Sequence, residues 1–520
     1  MKVILLNPSS PESYWSGVRS LEFADRRCLL PPLGLLTVAS LLPREWRLSL
    51  ADENVAEIRD EQLRAADVAM LTGMLVQRDA LQNLLVRCRA LGVRTVVGGP
   101  YATTFPDDLA AADHIAVGEG EQFVPRLAAD LERGTAERVY RAEGWPDLAG
   151  LPPPRFDLLP KRVYRQMAIQ FSRGCPFDCE FCDVVRLYGR RPRTKSPRQF
   201  VAELEALKAT GFRGDVFVVD DNFVGDRAAA RAALAEVARW RGATRVPFRF
   251  YTQAGLSLAD DPPLAEAMVS AGFDAVFVGV ETPNPQALRE AGKPQNLRAP
   301  LERIESLRRR GLEVWGGFIL GFDADGPDIF DRLAEFVERA AIPYAMVGLL
   351  GALPGTRLYR RLAAEGRLRA DLLWRGDQFG VTNVIHRLPL DQLLAGYRRV
   401  MERLYSPEGY FARCRESLRT WSPVRGVPRV RLSWDDLRAG LRSFVGQGIK
   451  GPYRRSYLRF LAWAFAHCPS KLPRAVTMAA VGHHFIEFTS DKLVPALEAA
   501  RLALAREGKL SESSPAPSSP

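Results

Sequence analysis

Three cysteines within eight residues are the feature that most constrains this chain. Cys175, Cys179 and Cys182 form a CxxxCxxC array within the segment 172–182. Three thiolates from one short loop can hold three irons of a cubane four-iron cluster and leave the fourth iron open to a small molecule. The alternative is a structural zinc site, which requires a fourth Cys or His nearby. The nearest downstream candidates are His386 and Cys414, so the spacing favours a 4Fe-4S cluster with an open iron.

Length and composition predict a large protein with several domains and no disulfide framework. The chain has 520 residues, of which 47% are apolar, and its other four cysteines are scattered singly. This pattern predicts roughly three domains in a reducing cytoplasm. No apolar run is long enough to span a bilayer. The net charge of +11 could indicate nucleic acid, an anionic membrane surface or an acidic substrate, but arginines dispersed on helices are more typical of a solvated surface.

The first third of the chain alternates short apolar strands with amphipathic helices. This alternation predicts a parallel, doubly wound α/β sheet, which binds ligands at the carboxyl ends of its strands. There is no GxGxxG or GxxxxGK motif after the first strand, which argues against a dinucleotide or nucleoside triphosphate site. The five predicted strands are 3–6, 48–51, 68–71, 95–97 and 115–117.

The same alternation resumes on a longer period after residue 166. Six βα repeats predict a partial barrel whose chemistry lies at the carboxyl ends of its strands. Ser196 followed by Pro197 predicts a capped helix start, and Gly211 its end. The predicted strands are 168–172, 215–219, 248–252, 275–279, 313–320 and 345–350.

The cysteine array, with the aromatic Phe181 before its third thiol, resembles the signature of the radical S-adenosylmethionine (SAM) superfamily. The resemblance implies a partial (βα)6 barrel, a 4Fe-4S cluster and bound SAM. The order of three upstream segments resembles the cobalamin-binding (B12-binding) members of the family, and the layout is similar to that of hopanoid methylases. These segments are 30–35, 98–100 and 118–121. The alternative is a flavodoxin-like domain whose glycines only make turns.

The resemblance also implies which residues bind the cofactors, although it assigns no catalytic side chain. For SAM they are Phe181, Asp220, Asp221, Asn222, Gln253, Glu281, Gly317, Ile319 and Gly321; for cobalamin they are Ser9, Gln77, Gly98, Gly99, Pro100, Gly118, Glu119 and Gly120. Helix capping is the alternative for the acids Asp220, Asp221 and Glu281. The loop after the first strand contains no histidine, so cobalt is not expected to receive a histidine ligand.

The C-terminal region is predicted to be helical, with helices over 391–405 and 434–444. The apolar stretches 457–465 and 475–488 are flanked by basic residues. They could contact a membrane surface, but core packing is the more usual role of such stretches. The predicted domains are a cobalamin-binding domain at 1–140, a linker at 141–160, the radical SAM barrel at 161–388, a helical domain at 389–510 and a disordered tail at 511–520.

These features together predict a cytoplasmic, cobalamin-dependent radical SAM enzyme, most simply a methyltransferase that acts on an unactivated carbon. Its partners would be a small-molecule or lipid substrate, an electron donor such as flavodoxin or ferredoxin, and possible peripheral contact with a membrane. One alternative is a radical cyclase or rearrangement enzyme without net methylation. Another is an RNA-modifying enzyme, but no recognisable nucleic-acid-binding module supports that interpretation.

Overall fold

The computed structural model describes residues 1–369, 372, 374, 376–377, 379–422, 433–511 and 513. Its two large sheets are both parallel and are followed by a helical region. The α/β fold class predicted from the sequence is therefore confirmed. The predicted disordered tail lies outside the described residues except for 511 and 513. None of the described helices is both long and apolar enough to cross a membrane.

The first sheet has six strands in the order β2-β1-β3-β4-β5-β6. Its core strands are continuous apolar runs, as is typical of a parallel sheet covered on both faces. The sixth strand was not predicted because it has only three residues. The bounds are β1 Lys2–Asn7, β2 Arg47–Asp52, β3 Val68–Thr72, β4 Arg94–Gly98, β5 His114–Val117 and β6 Val139–Arg141, with α1 Val18–Ala24, α2 Leu33–Leu41, α3 Asp60–Arg64, α4 Arg78–Ala90, α5 Gly99–Thr104 and α6 Val124–Arg133.

The second sheet is the open barrel, in the order β14-β13-β12-β11-β10-β7. All six predicted strands are present with ends shifted by a few residues, and a short hairpin of β8 and β9 follows the first. The strands are β7 Met167–Ile169, β8 Ser172–Arg173, β9 Arg193–Thr194, β10 Asp215–Val218, β11 Arg249–Gln253, β12 Phe273–Glu281, β13 Glu313–Leu320 and β14 Ala345–Leu349.

The barrel helices cover the outside of this sheet. The predicted cap is present, since the Ser196 side chain accepts a hydrogen bond from the amide of Gln199 at 3.3 Å. The helices are α7 Val184–Tyr188, α8 Pro197–Ala209, α9 Arg227–Thr244, α10 Pro262–Ala271, α11 Pro285–Glu290, α12 Pro300–Arg309, α13 Ile329–Arg339 and α14 Arg357–Ala364.

The C-terminal region is helical, as predicted. Its helices are α15 Leu390–Tyr405, α16 Pro407–Thr420, α17 Trp434–Ser443, α18 Arg454–His467, α19 Leu472–Phe488 and α20 Val494–Arg506, with π-helical turns at Phe444–Lys450 and Thr489–Leu493. The segment after β1 reaches this region: the Tyr14 hydroxyl lies 2.6 Å from Oγ1 of Thr489, and the Tyr14 ring stacks on Phe485. The N-terminal segment therefore fastens the last helices to the rest of the molecule.

The predicted domain limits remain a proposal. The strands show where each of the two sheets begins and ends. The first sheet ends at Arg141 and the second begins at Met167. The chain between them contains Pro146 and the run 152–154, which exclude regular helix or strand. A linker between two independently built sheets is consistent with this arrangement.

Candidate active site

One continuous cavity of about 3760 Å³ joins the carboxyl edge of the first sheet to the interior of the barrel. All eight residues predicted to bind cobalamin line it. Of the predicted SAM residues, Asp221 and Gln253 line it as well. None of the five histidines, all of which lie in the described part of the chain, is among the lining residues.

The glycines at the edge of the first sheet have local structural roles as well. Gly99 has φ of +88°, and a Cβ there would lie 2.2 Å from Oγ1 of Thr72. Gly118 has φ of +93°, and a Cβ would lie 2.7 Å from the Cβ of Ala142. These two positions need glycine for the turns themselves. Their backbone consequently forms a smooth edge to the crevice.

Two predicted cobalamin residues are occupied by contacts within the protein. The Gln77 side chain donates to the carbonyl of Pro8 at 2.7 Å and accepts from the amide of Met74 at 3.0 Å. Glu119 is buried and forms ion pairs with Arg173 and Arg193. In this structure the Glu119 carboxylate therefore connects the first sheet to the barrel.

The cysteine loop follows β8 and is held by backbone contacts. All seven cysteines of the chain are free thiols. Gly174, with φ of +93°, has no room for a side chain because a Cβ would lie 2.9 Å from the carbonyl oxygens of Tyr188 and Gly189. Burial raises the pKa of the Cys175, Cys179 and Cys182 thiols. Metal binding would therefore have to displace these protons.

The donor set of the loop fits an iron–sulfur cluster. Among the described residues, no group of three or more His, Cys, Asp or Glu side chains is arranged to hold a single metal ion. A mononuclear zinc site would need ligands that converge on one point. In a four-iron cluster, by contrast, each thiolate binds a different iron. The Cys175, Cys179 and Cys182 thiols are half-buried, which leaves them accessible to such a cluster.

The three polar residues after β10 have different positions. Asp220 is fully buried and accepts hydrogen bonds from the amides of Phe171 and Ser172, both at 2.8 Å. Burial raises its pKa to about 7. Both of its oxygens accept hydrogen bonds within the protein and it does not line the cavity, so the contact with SAM that the resemblance implies stays a prediction. Asp220 positions the strand that leads into the cysteine loop.

Asp221 and Asn222 do lie beside the cysteine loop. An oxygen of Asp221 accepts from the amide of Gly174 at 3.2 Å, and burial raises its pKa to about 6. The Asn222 amide nitrogen is 3.9 Å from Sγ of Cys175. Since Asp221 also lines the cavity, it is placed between the cluster loop and the barrel interior.

Glu281 occupies a strained position at the end of β12. The register with β13 shifts between Gly279 and Glu281, and Glu281 has φ of +71°, which is rare for residues other than glycine. Such outliers concentrate at functional sites. Its carboxylate forms an ion pair with Lys293. Lys293 is the residue that sequence reasoning missed here, and its positive charge interacts with the Cys179 and Cys182 thiols.

Four further residues that the resemblance assigns to SAM are Phe181, Gly317, Ile319 and Gly321. Phe181 packs against the apolar group that includes Ile319 and Phe322, with 6.2 Å between the ring centroids of Phe181 and Phe322. Gly321 has φ of +93°, and its carbonyl lies 2.9 Å from Nδ1 of the buried His386. Gly317 makes room for the Phe277 ring, which a Cβ would approach to 2.8 Å. None of these four residues lines the main cavity.

An aromatic wall inside the barrel was also missed. Phe217 and Tyr251 stack with 4.6 Å between centroids and an interplanar angle of 2°, and Tyr251 lies 4.9 Å from Trp315. Phe277 contacts Trp15 at 5.1 Å. All five rings line the cavity. The inward alternation of β10, β11, β12 and β13 could have identified four of them, whereas Trp15 comes from the segment after β1.

The fold and the site together define a class of enzyme in which a cofactor-binding sheet precedes a (βα)6 barrel with a three-cysteine loop. A family model described as the radical SAM superfamily matches residues 169–337, and a domain of unknown function, DUF4070, matches residues 356–494. The second match begins before the predicted helical domain and includes α14.

Relatives match almost the whole chain. An uncharacterized methyltransferase of Synechocystis is 39% identical over 499 residues, covering 94% of this chain and 92% of the relative. The hopanoid C-2 methylase of Rhodopseudomonas palustris is 34% identical over 502 residues, covering 94% of each chain. The chain therefore belongs to the cobalamin-dependent radical SAM family, in the group that contains the hopanoid methylases, and it is an enzyme.

Solved structures have the same fold. TsrM from Kitasatospora setae, a radical SAM methyltransferase with cobalamin and a [4Fe-4S] cluster bound, has a TM-score of 0.57 at 16% identity and covers 92% of this chain and 99% of that chain. OxsB, with aqua-cobalamin and SAM bound, has a TM-score of 0.62 at 15% identity and covers 98% and 82%. Both support the arrangement of sheet, barrel and helical region.

Proposed function

We propose that this protein transfers a methyl group to an unactivated carbon of a polycyclic lipid, as a hopanoid methylase does. The observation that carries this proposal is the single cavity that joins the edge of the first sheet to the aromatic wall of the barrel. A cobalamin at that edge and a substrate along the wall would share one continuous space. Methyl transfer between two bound groups needs such a shared space.

The geometry supports the following assignment of residues to each cofactor. We assign the cluster to Cys175, Cys179 and Cys182, and SAM to the surroundings of this loop, including Asp221 and Asn222. We assign cobalamin to the crevice lined by Ser9, Gln77 and residues 98–100 and 118–120. When bound, the cluster supplies the electron that cleaves SAM, and the cobalamin carries the methyl group. A one-electron donor such as flavodoxin or ferredoxin would supply the cluster.

Other residues of this chain would orient the bound groups and exclude water from the site. Lys293 and Glu281 keep their charges paired beside the thiols, and the apolar contacts of Phe181 with Ile319 and Phe322 close one side of the loop against water. A dry site protects a reactive radical from side reactions. The rings of Tyr251, Phe277 and Trp315 present flat apolar faces to the cavity, which suits a rigid polycyclic body.

Sequence similarity favours a lipid over the other substrates of related enzymes. Two relatives at 23% identity are bacteriochlorophyllide methyltransferases, so a tetrapyrrole is a second candidate substrate. The hopanoid C-2 methylase matches more of the chain at higher identity. We therefore place the polycyclic lipid first.

The test is anaerobic incubation of the reconstituted enzyme with SAM, a reductant and either a pentacyclic hopanoid or a chlorophyllide. The proposal predicts a methylated hopanoid, and it predicts no product with Cys179→Ala. Methylation of the chlorophyllide alone would contradict the lipid assignment. Conversion of the hopanoid without added carbon would indicate a rearrangement enzyme.

A further inference from the structure

The exposed apolar side chains of this protein are concentrated in one short part of the helical region. Seven of the thirteen exposed large hydrophobic residues among those described lie between residues 434 and 465. This stretch includes α17, the π-helical turn after it and α18. Apolar side chains gathered on one surface mark an interaction site more often than single exposed ones do.

The exposed apolar side chains of α17 and of Phe444, the next residue, lie on one face. At about 100° per residue, Trp434, Leu437, Leu441 and Phe444 fall within roughly 80° of one another around the axis. Their exposed fractions are 78%, 50%, 64% and 41%. The neighbouring side of the helix approaches α19, where an added Cβ on Gly440 would lie 3.6 Å from Val476. The apolar face of α17 is thus turned outward.

The exposed face continues onto α18. Leu458 and Phe465 are 39% and 69% exposed, and they are seven residues apart on the same side of the helix. The Leu458 side chain lies beside the π-helical turn, where it would be 3.3 Å from a Cβ on Gly448. Leu458 is therefore next to the turn that connects α17 to α18. We call the surface formed by Trp434, Leu437, Leu441, Phe444, Ile449, Leu458 and Phe465 the α17–α18 face.

Exposed cations border the α17–α18 face. Arg438 and Arg442 are one turn apart on α17, next to the apolar side chains. On α18 the exposed cations are Arg454, Arg455 and Arg459. Outward apolar side chains bordered by arginine are the pattern of a helix that lies in a membrane interface. Arginine also attracts anionic headgroups. The charge of this surface is thus complementary to an anionic bilayer.

The cavity reaches the same surface. Leu437, which is half exposed, and Gly440 both line it. A mouth of the cavity therefore lies at α17, beside the aromatic and aliphatic side chains that face outward. The stretches that the sequence suggested for membrane contact are divided by the structure: in 475–488, Ala475, Met478, Ala479 and Phe485 are buried core, whereas the outer side of α18 is exposed.

We propose that the α17–α18 face docks on an anionic phospholipid bilayer and places this mouth of the cavity against the membrane. An apolar substrate could then pass from the lipid phase into the barrel without crossing water. The inference rests on the proposed function for the identity of the substrate, although the docking itself does not require catalysis. It would give the DUF4070 segment, residues 356–494, a role in membrane contact and substrate entry.

The test is flotation of the full chain with vesicles of phosphatidylcholine alone or of phosphatidylcholine with phosphatidylglycerol. The proposal predicts binding to the anionic vesicles that weakens as salt is added. The double variant Leu441→Glu/Phe444→Glu, whose positions do not line the cavity, should lower the bound fraction by about tenfold. The matched control is Val86→Glu, a residue on α4 that is 61% exposed, and it should float like the unmodified chain.

Two controls separate docking from folding and from catalysis. Circular dichroism and SAM cleavage to 5'-deoxyadenosine without lipid should be unchanged in the double variant. Absence of vesicle binding by the unmodified chain, or equal binding by the double variant, would overturn the proposal. A dimer in light scattering that the double variant dissociates would also overturn it, because the face would then be an interface between two copies. Failure of methyl transfer to a hopanoid would leave the flotation result unaffected.

Discussion

Arg173, two residues before Cys175, reaches across to the first sheet and pairs with Glu119 while its other guanidinium nitrogen lies 2.7 Å from Glu121. Arg193, on the facing strand of the short hairpin, pairs with Glu119 as well. All four side chains are at most 15% exposed. The loop that we assign to cobalamin and the loop that carries the thiols are therefore fastened together by buried charges.

Replacing one of these charges should destabilise the protein in the absence of any cofactor. Glu119→Gln leaves Arg173 and Arg193 with too little negative charge, and breaking a buried ion pair on one side typically costs about 3–5 kcal/mol. Chemical denaturation of the cofactor-free protein measures this loss. Glu45→Gln, at an exposed position, is the control. Unchanged stability combined with weaker cobalamin binding would show that Glu119 serves the cofactor alone.

The pair of Lys293 and Glu281 should set the reduction potential of the cluster. A positive charge near the thiolates stabilises the reduced cluster, so Lys293→Met should lower the potential and Glu281→Gln should raise it. The expected shifts are on the order of 50 mV in opposite directions. Redox titration followed by electron paramagnetic resonance measures both. Lys293→Arg, which keeps the charge, should have little effect, and shifts of the same sign in the first two variants would contradict this role.

His386 should make stability depend on pH. Burial lowers its pKa from 6.5 to about 4, so the unfolded chain binds a proton at this residue more readily than the folded protein does. The stability that depends on a neutral His386 is fully present above pH 6.5 and is lost as the pH drops toward 4. The loss in the free energy of unfolding amounts to about 3 kcal/mol. Unfolding of the wild type and of His386→Gln across this range gives the difference. A parallel pH dependence in the two proteins would contradict the assignment.

The aromatic wall should bind the apolar substrate. Trp315→Leu removes the ring that borders Tyr251, and one aromatic contact is worth about 0.5–1.5 kcal/mol beyond its area. The KM for the lipid should therefore rise by up to about tenfold. Trp240→Leu, on the outer helix α9 at a position that does not line the cavity, is the matched control. An equal KM in the two variants would argue against substrate at the wall.

Periodicity was sufficient to predict the two parallel sheets because parallel strands are buried on both faces and are apolar throughout, as in β1. The spacing of the three cysteines was sufficient to predict the cysteine loop. The sequence could not show that Asp220 accepts hydrogen bonds from two backbone amides while its neighbour Asp221 lines the cavity. Two adjacent aspartates look alike in the sequence, and only the structure shows which way each side chain points. Lys293 and Trp15 come to the site from distant segments, so no local pattern identifies them.

Short and irregular elements were missed for a related reason. The sixth strand and the hairpin contain three and two residues per strand, too few to establish a period. The outward face of α17 has the apolar spacing of a core helix. Only the packing of α17 in the folded protein shows that these apolar side chains face solvent.

The most direct test of the account is methyl transfer from isotope-labelled SAM to the hopanoid under anaerobic, reducing conditions. Two SAM molecules with different roles predict one labelled methyl group in each product molecule, and S-adenosylhomocysteine and 5'-deoxyadenosine in about equal amounts. Mass spectrometry of the lipid and quantification of the two nucleosides give both values in one experiment. A converted lipid without labelled carbon, accompanied by 5'-deoxyadenosine but no S-adenosylhomocysteine, would contradict methyl transfer.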